Sequence, residues 1–256
     1  MGVRQGDPPP RGVVLDTDGV LLDSATVHAA AWKAAFDACL AGLSPATAPQ
    51  PPFDADAEYR RYVDGRSRYD GAEAFLASRG LRLPPGTPGD PPGHDTVWAV
   101  AAHKERLFVG MTEAGGVPVY DDSRPALTAL RAAGVPRAAV SASRHARALL
   151  AEAGLDRLLD TVVDGTDAAR LGLAGKPDPA LFRHAASALG TDPGACAVVE
   201  DALSGVLAAR RGGFRLVAGV DRTPDRHATP ALLAQGADLV VPDLLTLVRT
   251  VWGDPA

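Results

Sequence analysis

Six short runs rich in β-branched residues recur along the 256-residue chain: GVVLD (12–16), AAVSAS (138–143), TVVDG (161–165), AVVED (197–201), LVAGV (216–220) and DLVV (238–241). Helical patterns that stop at glycine lie between them. RPALTALRAAG keeps Leu127 and Leu130 in step and ends at Gly134, ARALLAEAGL stops at Gly154, and ALFRHAASALG stops at Gly190. Strands that alternate with helices of this length form a parallel sheet with both faces covered, because each crossover lays a helix on the sheet. The fold expected is α/β, with a Rossmann-like parallel-sheet core.

One segment breaks the alternation. From residue 25 to 112 there is no convincing strand, only helical stretches carrying Trp32, Phe36, Leu40 and Leu43, then GAEAFLASRGL, then Val97, Val100, Leu107, Phe108 and Met111 at helical spacing. Two proline-rich stretches, SPATAPQPPF and LPPGTPGDPPGHD, read as loops between helices that share one core. The expected organisation is a disordered leader over 1–11, a catalytic core made of 12–24 and 113–256, and a helical cap domain over 25–112. A 46% hydrophobic content suffices for one substantial core and a smaller second one.

Composition narrows the classes. The net charge is −5 and no Lys/Arg run reaches five, so nucleic acid is not an expected partner. No apolar stretch approaches the ~18 residues of a membrane span. The opening MGVRQGDPPPRG lacks the apolar centre of a secretory signal, and Gly6 stands where myristoylation needs Ser or Thr. Two widely spaced cysteines, Cys39 and Cys196, fit neither a disulfide framework nor a zinc site, and a cytoplasmic location is expected.

In open parallel sheets ligands bind beyond the carboxyl ends of the strands. Asp16 and Asp18 stand at such an end, as do Ser141 and Ser143 after the second run and Glu200 and Asp201 after AVV, with Lys176 in the loop LAGKPDP. A single Asp after a strand is usually a helix cap or turn residue. Four loops bringing two acids, two hydroxyls, an ammonium and two more acids to one rim are a poor match to that explanation.

LDTDGVLLDS, SASR, GKPDP and VVEDALSGVLAARRGG, in this order, resemble the motifs of the haloacid dehalogenase-like superfamily of phosphoryl-transfer enzymes, over residues 12 to 245. The insertion after the first motif is similar to the helical cap of the subfamily that holds β-phosphoglucomutases and small sugar phosphatases. The resemblance implies Asp16 as the nucleophile that forms an aspartyl phosphate and Asp18 as the general acid and base, aimed away from Asp16 by the turn at Gly19. It implies Mg2+ held by Asp16, the Asp18 carbonyl and Asp201, with Glu200 beside it. Lys176, Ser141 and the backbone near Ala142 would hold the phosphoryl oxygens. Asp18 also favours phosphate esters over haloacids, since breaking a carbon–halogen bond needs no proton for a leaving alcohol. A non-catalytic sugar-phosphate-binding module is disfavoured, because Asp16, Lys176 and Asp201 are all present.

The cap stretches HAAAWK, DGRSRYD and HKERLF are similar to those with which β-phosphoglucomutases hold a sugar phosphate. By that resemblance His28 would support the Asp18 turn and Lys104 would draw the cap closed. Arg68, with Gly65 and Ser67, would bind the distal phosphate, and Ser143 and Arg144 would complete the substrate surroundings. Read from spacing alone, His28 and Lys104 are as well explained as edges of a helical core. The expected activity is conversion of β-glucose 1-phosphate to glucose 6-phosphate through the 1,6-bisphosphate, with a sugar-phosphate phosphatase as the alternative. Such an enzyme needs no second subunit, so a monomer is expected. Departures from the family pattern are Asp64, Arg66, the pair Asp121–Asp122 where a Pro-Gly turn is common, and the proline-rich insert at 84–93.

Overall fold

The computed structural model describes residues 8–42, 50–223 and 225–253. Strand β1 (Gly12–Asp16) comes first, followed by helices α1 (Ala25–Ala41), α2 (Arg68–Ser78) and α3 (Val97–Gly115). Then α4 (Ser123–Ala132), β2 (Arg137–Val140), α5 (Ala146–Glu152), β3 (Thr161–Val163), α6 (Gly165–Leu171) and α7 (Ala180–Ala188) alternate along the chain. It closes with β4 (Cys196–Glu200), α8 (Leu203–Gly212), β5 (Leu216–Val220), α9 (Thr229–Gln235), β6 (Leu239–Val241) and α10 (Leu244–Trp252). Contacts divide it into two compact units, one of residues up to Asp23 and from Pro118 onward, the other Ser24–Val117.

In the first unit the six strands are parallel, in the order β3-β2-β1-β4-β5-β6. The chain steps outward from β1 in one direction and then returns to its other side, so the sheet has its switch point at β1 and β4. Leu15 pairs with Ala139 on one side and Val199 on the other. Residues of β1, β2 and β4 are buried throughout, as expected for central strands covered on both faces. The strands end earlier than the polar residues of the sequence runs, so Ser141, Ser143 and Asp201 lie in the loops beyond them. The glycines at 134, 154 and 190 all have positive φ and stop their helices.

The last residues of the expected leader, 8–11, lie against the core. Residues 1–7 lie outside the described residues, but the Arg11 N–H donates to Ala195 O at 2.7 Å, and the carbonyls of Pro8 and Pro10 accept from Arg215 and from the Trp252 indole at 2.9 Å. A proline carbonyl is a good acceptor, and these donors are distant in sequence, so composition alone does not reveal the anchoring.

The second unit packs α1, α2 and α3 around an aromatic cluster. Phe36 lies 4.7 Å from Trp32, 4.9 Å from Phe53 and 4.1 Å from Phe75 between ring centroids, all four being buried. A π-helical turn, Tyr59–Val63, leads into α2. Leu43 and all of SPATAP (44–49) lie outside the described residues. The 84–93 insert is tied to the start of α3: Asp90 accepts from the hydroxyls of Thr87 (2.7 Å) and of Thr96 (2.6 Å), the N-cap of α3. Helix α3 continues to Gly115 and stops where Gly116 takes φ +70, so the expected boundary after 112 falls inside its last turn. Among the described residues no helix is long and apolar enough to cross a membrane.

Phe36→Ala removes the ring on which three others pack, and is expected to destabilise this unit by about 3–5 kcal/mol. A urea transition followed by tryptophan fluorescence, to which Trp32 contributes, measures it.

Candidate active site

The carboxyl ends of β1 and β4 place Asp16 and Glu200 on either side of the Lys176 ammonium, which donates to Asp16 Oδ1 and to Glu200 Oε1. All three are buried, and the ammonium also lies 4.9 Å from the centroid of the Phe182 ring. Burial raises the Asp16 carboxyl well above its usual range, and the charges of Glu200 and Asp18 add to the rise while Lys176 opposes it. Burial alone would push Lys176 down, but the two carboxylates hold it above an ordinary lysine. The two carboxylates therefore favour the charged ammonium.

Glu200 is fixed at both oxygens, because Oε2 accepts from the backbone N–H of Asp201 (2.9 Å) and of Ala202 (2.8 Å). Gly205 makes room for it: a Cβ there would stand 1.8 Å from Glu200 Oε1. Sequence reasoning missed this glycine, although its place one turn into the helix behind the acid is a signal that could be used. Gly19 plays the same part across the site. Its φ is +82, and a Cβ there would meet Asp201 Oδ2 at 1.7 Å, so only glycine supplies both the turn and the space.

Beyond β1 the chain folds back on itself. Leu21 and Leu22 N–H groups donate to Thr17 O at 3.0 and 2.9 Å, and Gly19 N–H to Leu22 O at 2.8 Å. This turn carries the Asp18 side chain, whose Oδ2 accepts from Ser141 Oγ at 2.7 Å. The Ser141 hydroxyl, expected to hold phosphoryl oxygens, here donates to Asp18 and accepts from Ser143 N–H at 3.0 Å. The reason is proximity, since β2 lies beside β1 and ends level with it. Ser143 Oγ in turn accepts from His145 N–H at 3.2 Å, Ala142 is half-buried, and Arg144 is exposed on the same loop.

Asp16, Glu200 and Asp201 each offer a carboxylate oxygen within 4.8 Å of the others. Three hard oxygen donors with one ammonium between two of them leave an excess of negative charge. The set fits a hard divalent cation such as Mg2+, and contains no nitrogen or sulfur that would favour a softer metal.

In the other unit, His28 Nδ1 lies 2.8 Å from Lys104 Nζ, and the imidazole stacks on Phe108 with 4.1 Å between centroids. An ammonium only donates, so Nδ1 is the acceptor in this contact. Lys104 is buried, its ammonium 4.5 Å from the Phe108 centroid and 5.6 Å from that of Trp32. Both residues thus belong to one arrangement rather than to separate edges of a core. Trp32 is engaged in that packing. Arg68 is the first residue of α2 and pairs with Glu105 at 2.7 Å. Ser67 is the N-cap of α2: its Oγ accepts from Asp70 N–H at 3.2 Å and donates to Asp70 Oδ2 at 2.7 Å. Gly65, with φ +69, makes the turn before it. Glu105 was not singled out in the sequence, because nothing local pairs it with a residue 37 positions earlier.

A family model for haloacid dehalogenase-like hydrolases matches residues 10–213. The chain belongs to this family. It is an enzyme of the phosphotransferase and phosphatase kind that the family comprises. A β-phosphoglucomutase of Mycobacterium tuberculosis is 44% identical over 93% of the chain and 91% of its own. Among solved structures, a hydrolase of the same family from Deinococcus radiodurans, with bound phosphate and sodium, is 31% identical with a TM-score of 0.64, covering 95% of this chain and 96% of that one. The β-phosphoglucomutase of Clostridium difficile shares the fold, with a TM-score of 0.70 at 20% identity over 93% of each chain.

Mg2+ at about a hundred times its Kd is expected to stabilise the protein by about 2.7 kcal/mol, visible as a rise in Tm. Asp201→Asn should remove most of that rise while leaving the metal-free Tm nearly unchanged. An equal Mg2+ response in the variant would take Asp201 out of the metal site.

Proposed function

We propose that the protein is a β-phosphoglucomutase, and the observation that carries this reading is the 44% identity to the mycobacterial enzyme along nearly the whole chain. In this reading Asp16 attacks phosphorus, the bond from phosphorus to the leaving oxygen breaks, and Asp18 gives that oxygen its proton. In the second half the acceptor hydroxyl gives its proton to Asp18 and takes the phosphoryl group from Asp16. A sugar hydroxyl as acceptor makes a mutase, and water makes a phosphatase.

The geometry supports these roles. The Ser141 hydroxyl donates to one oxygen of Asp18 and so helps hold that carboxyl in place. Lys176 and the N–H groups near Ala142 offer positive charge to the phosphoryl oxygens. Mg2+, held by Asp16, Asp201 and the Asp18 carbonyl with Glu200 beside them, would neutralise the charge that builds up between carboxylate and phosphate. In the cap, Arg68 is the cation proposed for the distal phosphate and would exchange Glu105 for it, while His28 and Lys104 act as one hydrogen-bonded unit. A phosphatase is the second reading, favoured by the 31% identical hydrolase and by the fact that Arg68 already has a carboxylate partner.

With β-glucose 1-phosphate, Mg2+ and a little glucose 1,6-bisphosphate, glucose 6-phosphate is expected without stoichiometric free phosphate. Free phosphate and glucose would establish the phosphatase instead. Arg68→Ala should lower mutation of the sugar phosphate by about 10- to 100-fold, the loss of a charge-assisted contact. Hydrolysis of acetyl phosphate, which has no distal phosphate, should stay within about threefold. A parallel loss on both would contradict the distal-phosphate role.

A further inference from the structure

The pair Asp121–Asp122 departs from the family pattern, and the reading above gives it no task. Asp122 stands at the N-cap of α4 but makes no side-chain cap bond to that helix. Its carboxylate instead forms a fork with the Arg222 guanidinium, Nη1 to Oδ1 at 2.8 Å and Nη2 to Oδ2 at 3.1 Å, while Oδ2 also accepts from Leu244 N–H at 2.6 Å. Arg222 follows β5 in the loop beyond its carboxyl end, mostly buried at 17% side-chain exposure. Its remaining donors turn toward the catalytic turn: Nε to Gly19 O at 3.0 Å and Nη2 to Val20 O at 2.8 Å. The guanidinium carbon lies 3.7 Å from the centroid of the Tyr120 ring, whose hydroxyl donates to Asp23 Oδ1 at 3.2 Å. Burial, with the charge of Asp23, raises the Tyr120 hydroxyl above its usual range and keeps it a donor.

These contacts meet the turn where it is weakest. Gly19 must be glycine, and glycine has the widest choice of backbone conformations. The carbonyls of Gly19 and Val20 lie outside the sheet ladder and need donors of their own. One guanidinium supplies both, and its planar fork is itself held by Asp122 and backed by the Tyr120 ring. We propose that Arg222, oriented by Asp122 and Tyr120, is a positioning residue that holds the Gly19–Val20 peptide and thereby keeps the Asp18 carboxyl aimed for proton transfer. Arg222 touches no reacting atom in this role. The inference rests on the acid–base role of Asp18 proposed above.

The test compares phosphorylation of the enzyme in single turnovers from two donors with Mg2+ present: glucose 1,6-bisphosphate, whose leaving hydroxyl needs a proton, and acetyl phosphate, whose leaving acetate needs none. Arg222→Met should slow phosphorylation by the bisphosphate by about 10- to 100-fold, the size expected for a misplaced catalytic group. The half-saturating concentrations, and the rate with acetyl phosphate, should stay within about threefold, because only proton delivery is disturbed. Arg222→Lys keeps the charge but loses the fork, and should show a smaller loss with the same selectivity; it decides the matter if the Met variant does not fold. Asp18→Asn is the control. If Asp18→Asn discriminates between the donors and the Arg222 variants lose equally on both, on neither, or only in half-saturation, the positioning role is overturned and the Asp18 role stands. If Asp18→Asn does not discriminate, the acid–base reading fails and this inference with it.

Discussion

The buried Lys176 ammonium is what allows the rest of this site to exist. Asp16 and Glu200 end neighbouring strands of the sheet, and two carboxylates taken out of water so close together would repel each other and pay the full cost of desolvation. A single cation bonded to both offsets part of each cost. It also ties the ends of β1 and β4 to the loop before α7. That bonding leaves the cluster of Asp16, Glu200 and Asp201 with more carboxylates than the ammonium can neutralise, a donor set that fits a hard divalent ion.

Space is the second constraint. Glu200 and Asp201 reach their places only because Gly205 and Gly19 carry no side chain, the hypothetical Cβ atoms lying 1.8 and 1.7 Å from the carboxylates. The turn at Gly19 therefore serves two ends at once. It redirects the chain so that Asp18 does not follow Asp16, and it opens the volume that Asp201 fills. Freedom at that glycine is the cost, and donors from outside the turn restore order to it.

Much of this was legible in the sequence because it is local. The β-branched runs predict each strand to within a few residues, and the acids, hydroxyls and lysine that follow them fall on one rim once the sheet is parallel. What was not legible depends on partners far along the chain. Ser141 bonds Asp18 across 123 positions, and Pro10 is anchored by Trp252 across 242. Arg68 opens α2 and pairs with Glu105 of α3, 37 positions further on. Asp122 reads as a departure from a pattern, and its fork with Arg222 spans 100 positions. Periodicity carries no information at such separations.

The position of β1 in the middle of the sheet has a consequence for synthesis. Its neighbours are β2 and β4, and Lys176 follows Asp16 by 160 positions. At about 5–20 residues per second a ribosome needs roughly 8–32 s to travel that distance. For most of that interval, until β2 begins 121 positions after Asp16, GVVLD, a strand buried on both faces in the finished sheet, has no partner on either edge and is an exposed template for wrong pairing. The Ser24–Val117 unit draws its packing from its own residues and can close meanwhile. Asp16 is therefore made early, and its carboxylate meets the ammonium that offsets its charge only once Lys176 arrives.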